Sequence, residues 1–338
     1  MAYKDLPMNI RDGVLNINKP QGITSFDVVA KVKKVTRVKK VGHAGTLDPE
    51  ASGVLLICLG KATRIVPFLM DATKEYRATL HLGITTDTLD STGKIVQRTE
   101  KITTTEEEIR EAVSSFTGEI EQIPPMFSAL WHQGRRLYEL AREGVEVERK
   151  PRKIIIHRLT ILSYDPPYLT FEVTCSKGTY IRSLCADIGQ KLGVGGHMSW
   201  LQRLKVGDMS IEQAIPFEVL DQKGAAEILA AKITPADKVL KFLPAVQIRS
   251  WAKRAALHGV PLSDRQVILD HPEQLRKGDL VRGYDSEGRF IGIFEALVDL
   301  SGLRQQQPQA EPLQDGCLQA EPPQTSQEEL WFKPKRLL

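Results

Sequence analysis

Residues 54–59, Val-Leu-Leu-Ile-Cys-Leu, form an unbroken apolar run between Gly53 and Gly60. The run is far too short to span a bilayer. Bounded by turn residues, it reads as a strand buried in a sheet. The chain enters it through Gly42-His43-Ala44-Gly45-Thr46-Leu47-Asp48-Pro49, a bend marked by glycine and proline that carries one carboxylate, Asp48. Asp before Pro is an ordinary turn starter, so the stretch alone gives Asp48 no chemistry and the surrounding segments must decide.

Upstream, Gly13–Ile17 is strand-like and Lys19-Pro20-Gln21-Gly22 reads as a turn. Thr24 and Asp27 have capping-box spacing, and Val28, Val32 and Val35 follow at the period of one buried helix face. The opposite face carries Lys33, Arg37 and Lys40, with Lys31, Lys34 and Lys39 close by. A charge run of this kind is often only a solvated surface. Its density directly before the Asp48 loop equally suits a phosphate backbone.

Downstream, Glu75–Gly83 alternates like a strand, and Thr88 to Val96, TLDSTGKIV, signals a hairpin around Ser91–Gly93. Helices are predicted over Thr105–Phe116, with Glu108 completing a capping box and Gly118 as the stop, over Leu137–Arg142, and over Thr179–Leu192. Strands are predicted over 153–164 and 168–175. This mixture implies an α+β fold with a mixed, mainly antiparallel sheet flanked by helices and loops.

A chain of 338 residues, 41% hydrophobic and 26% charged, has room for two domains with real cores. The expected division is a first domain over 1–240 and a small β-rich module over 241–303 plus 329–338. Residues 304–328, rich in Gln and Pro, are expected to be a disordered insertion. Because bulky apolar residues return at Trp331–Leu338, the terminal segment is predicted to pair back onto the module. With no apolar stretch of membrane-spanning length and no signal-peptide core, a cytoplasmic protein is expected. Cys58, Cys175, Cys185 and Cys317 form no CxxC pair, so neither disulfides nor a zinc site are expected.

Several chemistries find no support. At Gly60-Lys61-Ala62-Thr63, Ala62 stands where a phosphate-binding loop needs Ser or Thr, and no G-x-S-x-G elbow is present. The seven histidines lack ligand spacing. Helix 179–192 is more informative. It buries Ile181, Leu184, Cys185, Ile188 and Leu192, which sets Arg182 off the apolar stripe in the first turn. A cation there opposes the helix dipole, at a cost of a few tenths to about 1 kcal/mol. A nearby anion such as Asp48 would offset that, although an arginine with its head in water would also fit.

LNINKPQGITSFDVV, GHAGTLDPEASGVLLICLGKATR, KEYRATLHLGITTDTLDSTGKIV, PPMFSAL, GRRLYELAREG and CSKGTYIRSLCADIG occur in this order. Together they resemble the TruB family of tRNA pseudouridine synthases, of the bacterial type acting on uridine 55, from about residue 13 to 215. The resemblance implies the pseudouridine synthase fold followed by a PUA-like RNA-binding domain. It also implies flipping of the uridine of the tRNA T-arm stem-loop and isomerisation without metal or cofactor. Asp48 matches the catalytic acid, Tyr76 the tyrosine stacked on the uracil, and Arg182 the arginine paired with the acid. His43, Tyr180 and Leu201 match residues lining the nucleotide site. Lys33, Arg37, Lys40 and Arg64 are candidate backbone contacts. No membrane, no obligate protein partner and a monomer are expected. Trp131-His132 departs from the pattern, which has an aliphatic residue or lysine followed by a small or polar one.

Two other classes stay open at this point. A phosphoryl-transfer enzyme with Asp48 as nucleophile would need a magnesium site, which no second acidic cluster near the loop supplies. A non-catalytic RNA-binding protein could keep the fold without the chemistry, which the presence of Asp48, Tyr76 and Arg182 argues against.

Overall fold

The computed structural model describes residues 12–269, 274–300 and 330–338. Contacts divide the chain into two compact units, 1–239 and 240–338. The first begins with β1 (Gly13–Lys19), α1 (Ser25–Thr36), β2 (Val41–His43) and β3 (Ser52–Leu59). It continues through α2 (Val66–Asp71), β4 (Lys74–Leu82), the ribbon β5 (Ile84–Thr86) and β6 (Ile95–Arg98), α3 (Glu106–Ser114) and β7 (Gly118–Gln122). A short hairpin, β8 (Trp131–His132) and β9 (Arg135–Arg136), leads into α4 (Leu137–Arg142). Then come β10 (Arg152–Asp165), β11 (Tyr168–Cys175), α5 (Ile181–Lys191), β12 (Gly196–Val206), β13 (Met209–Ser210), β14 (Ile215–Pro216) and α6 (Ala225–Ala231).

The main sheet has the order β14-β1-β3-β12-β4-β11-β10-β7, with β2 beside β3 and β13 beside β12. It is antiparallel except at β1–β14 and β3–β12, and so has the mixed, mainly antiparallel character expected. The run Val54–Leu59 pairs with β1 on one side, has β2 beside residues 57–59 on the other, and is wholly buried. An inner strand covered on both faces has no use for a polar residue.

Helix α1 starts at the predicted box, Thr24 accepting from the Asp27 N–H and Asp27 from that of Thr24, and buries Val28, Val29 and Val32. Helix α3 has the same device at Thr105 and Glu108 but ends at Ser114. Gly118 does not stop it. Phe116 and Thr117 close the helix with bonds to the Val113 and Ser114 carbonyls, and Gly118, at φ +103°, swings the chain into β7. The β5–β6 ribbon is the expected hairpin, with a turn around Ser91–Gly93 in which the Gly93 N–H donates to the Asp90 carbonyl at 3.4 Å. Its connection, 87–94, folds inward around Asp90, whose carboxylate accepts from the Thr88 hydroxyl, the Thr92 N–H and the Thr92 hydroxyl.

The second unit contains β15 (Ala245–Ile248), α7 (Lys253–Leu257), β16 (Leu262–Ser263), β17 (Val267–Ile268), β18 (Leu280–Tyr284), β19 (Phe290–Ala296) and β20 (Leu330–Leu337). They form one sheet in the order β16-β20-β19-β18-β15-β17 over a core of Val246, Leu262, Val281, Phe294 and Phe332. Buried Asp285 joins Lys253, at 2.8 Å, to Arg289, at 3.0 Å. These two cations and nearby backbone N–H groups pull its pKa far below the usual carboxylate range. The insertion expected over 304–328, with Cys317, lies outside the described residues.

Candidate active site

The loop carrying Asp48 is fastened on three sides. Lys19, at the end of β1, is fully buried and donates to the carbonyls of Pro20 and Ile23, both at 2.8 Å, and of Pro49, at 3.1 Å. Burial pulls its pKa down to about 8, although Asp48 and Glu50 oppose that shift. From the first turn of α1, the Ser25 hydroxyl donates to the Leu47 carbonyl at 3.0 Å and accepts the Leu47 N–H at 2.9 Å. On the third side, Arg203 of β12 donates to the carbonyls of Gly45 and Val54, at 3.1 and 2.7 Å. A loop fixed by this many donors keeps its carboxylate in one place before any ligand arrives.

Arg182 projects from the first turn of α5 and is only 6% exposed. Its Nε lies 2.9 Å from Asp48 Oδ2 and its Nη1 3.4 Å from Asp90 Oδ2. The remaining donors reach the Thr88 carbonyl at 3.2 Å and the Phe127 carbonyl at 2.8 Å. This side chain therefore ties α5 to three other segments, the Asp48 loop, the 87–94 connection and the stretch around Phe127. Asp48, whose side chain is 39% exposed, opens to solvent above it. The block TLDSTGKIV predicts the hairpin that β5 and β6 form, but nothing in it points to the inward role of Asp90. Leu89, held at φ +63°, is the strained residue that directs it.

Tyr76 of β4 faces Arg203 across the β4–β12 ladder, and Ala78 faces Leu201 two positions along. Cross-strand partners point to the same side, so all four share one face of the sheet. Burial raises the Tyr76 phenol pKa, while the adjacent Arg203 pulls it the other way. The His43 ring, at the end of β2, is pushed toward its neutral form by burial first and by Arg203 second. Tyr180 is the residue before α5. Its backbone is held by Gln122, whose Oε1 accepts its N–H at 2.8 Å and whose Nε2 donates to its carbonyl at 3.1 Å. Among the described residues, no group of His, Cys, Asp and Glu is arranged to hold a metal ion, and no helix is long and apolar enough to cross a membrane.

Lys33, Arg37, Lys40 and Arg64 are all exposed. The Lys40 carbonyl accepts the Gly60 N–H at 2.8 Å, which brings the end of the basic run next to the turn containing Arg64. Lys31 is turned to another task, an ion pair with Asp221. Beyond them, the β8–β9 hairpin presents Trp131, 63% exposed, with the Arg136 guanidinium 3.9 Å from the centre of its ring.

The chain that carries this half-open aspartate loop on a buried arginine matches family models of pseudouridylate synthases over residues 33–241. A Cbf5–Nop10–Gar1 complex superimposes with TM-score 0.71 at 27% identity, covering 100% of this chain and 91% of the matched one. The TruB family pseudouridylate synthase N-terminal domain matches residues 33–181, and the tRNA pseudouridylate synthase B C-terminal domain matches 182–241. The chain is 48% identical to tRNA pseudouridine synthase B of Clostridium tetani over 282 residues, 83% of this chain and 94% of that protein. It is 49% identical to that of Alkaliphilus oremlandii over 301 residues, 85% of this chain and 99% of that protein. The chain belongs to the TruB family.

Proposed function

We propose that the protein converts uridine 55 in the T-loop of tRNA to pseudouridine. The observation that carries this reading is the Asp48–Arg182 pair, a carboxylate half-open to solvent on a buried, fourfold-anchored guanidinium. The reaction breaks the bond between N1 of the uracil and C1′ of the ribose, turns the base in place and rejoins it through C5, with loss of the C5 proton. No electrons or groups enter or leave, so the chemistry calls for no cofactor. Asp48 either attacks C1′ or removes a sugar proton as the base departs, and both routes begin from its carboxylate. Tyr76 offers a stacking face to the uracil. Its burial favours the protonated phenol, which suits a hydrogen-bonding relay for the C5 proton rather than a free base. His43, Tyr180 and Leu201 line the pocket that receives the flipped nucleotide, since a stacked glycosidic bond is out of reach.

Lys33, Arg37, Lys40 and Arg64 meet the RNA backbone, and the second unit, PUA-like in character, gives a further RNA contact. Tritium release from C5-labelled uridine in an unmodified tRNA transcript tests the reading. Wild-type protein should release tritium in the presence of EDTA, and Asp48→Asn should release none while binding the transcript normally. A transcript with cytidine at position 55 and tritium in its other uridines should release nothing. Full activity of Asp48→Asn would overturn the assignment.

A further inference from the structure

Arg203 is 1% exposed and, among the described residues, has no carboxylate partner. A desolvated guanidinium is a costly thing to bury, so the destination of its donors is informative. Nε donates to Val54 O at 2.7 Å, Nη2 to Gly45 O at 3.1 Å and Nη1 to Thr46 O at 3.4 Å. Residues 45 and 46 precede Asp48 and residue 54 follows it, so one planar group grips both ends of the loop that holds the acid. The loop backbone is shaped to this contact. Gly45 takes φ +97°, and a Cβ on Gly53, at φ +109°, would stand 2.2 Å from the Arg203 carbonyl oxygen. Across the sheet Arg203 is the register partner of Tyr76. Its charge opposes the burial that raises the Tyr76 phenol pKa, and it adds to the burial that keeps the His43 ring neutral.

We propose that Arg203 is a positioning residue for the reaction: it sets the spacing between the Asp48 carboxylate and the Tyr76 ring by gripping the loop from the strand position paired with Tyr76. The inference rests on the proposed function only for its kinetic readout. A lysine in its place keeps the charge but offers a single point of contact, so it cannot span residues 45, 46 and 54 together. Misplacement of reacting groups by about 1 Å costs on the order of 100-fold in rate.

The wild type is assayed first, because failure to release tritium overturns the proposed function by itself. Arg203→Lys should then bind the transcript within threefold of wild type and unfold at a similar temperature, while single-turnover tritium release falls about 100-fold. A rate within threefold of wild type overturns the proposal. A second measurement needs neither turnover nor a folded variant. The Arg203 Nε–H resonance of the ¹⁵N-arginine-labelled wild type is compared between stem-loops carrying 5-fluorouridine or an abasic site at position 55. A resonance that shifts between the two RNAs supports positioning coupled to an occupied site. One that stays fixed shows a guanidinium that only fills the core and overturns the proposal.

Discussion

Replacing Arg182 by Met removes a group that serves four partners at once, and the structure sets the size of the effect. The Asp90 side chain is only 12% exposed, so loss of its cation leaves a nearly buried charge. Breaking a buried pair in this way costs about 3–5 kcal/mol. Three donors from Thr88 and Thr92 remain on Asp90 and hold the loss toward the lower end. The Thr88 and Phe127 carbonyls lose donors worth roughly 1–3 kcal/mol each. Since the same rearrangement relieves both penalties, they overlap and a total near 3–5 kcal/mol stands. Asp48 adds little, because its exposed face can take water. Urea unfolding followed by circular dichroism, with midpoints compared at constant m, measures the change. Adding Asp90→Asn to Arg182→Met should recover about 1–3 kcal/mol, because neighbours in one network are coupled. Destabilisation below about 1 kcal/mol, with no coupling, would show the guanidinium to be solvated and the reasoning wrong.

Asp187, half-buried on α5, has its pKa raised to about 6 by burial. A carboxyl that binds its proton more tightly when folded makes stability fall as pH rises from about 4 to 6 and leaves it reduced above. Asp187→Asn should therefore raise Tm at pH 7.5, by the equivalent of about 1–2 kcal/mol after allowance for partial exposure, and have a much smaller effect at pH 4, vanishing below the unfolded pKa of 3.8. Calorimetry at both pH values checks the sign. Trp131→Ala should weaken transcript binding about 5–100-fold, the worth of one stacked base, and leave the rate at saturating RNA unchanged; filter binding and single-turnover assays separate the two. Gly53→Ala should abolish soluble expression, because its Cβ meets the β12 backbone in a conformation that already strains any side chain.

The elements were legible where their signals were local. Capping boxes at Thr24 and Thr105, and apolar spacing along α1 and α5, need only a few neighbouring residues. Gly118 misled because a glycine four residues past a helix fits both a stop and a strand entry. In the site, a cation opposing the α5 dipole was enough to suggest that Arg182 stands by an acid. His43, Tyr180 and Leu201 had no such signal and were named only through family likeness. Asp90 and Arg203 were missed for one shared reason. Their meaning comes from strand register and loop closure over long sequence separations, which put Arg203 of β12 inside the sheet beside Tyr76.

Strand β20 is made after every other strand of its sheet, yet it fills an inner slot between β16 and β19. On the ribosome the second unit therefore waits with a gap, β19 presenting Ile293 and Phe294 on an open edge until residue 337 has been added. A nonsense codon anywhere in 301–329 would leave the Asp48 loop and Arg182 in the sequence while fixing that edge open. Unpaired apolar edges recruit other chains, so such products would be lost to aggregation although every residue of the proposed chemistry had been translated.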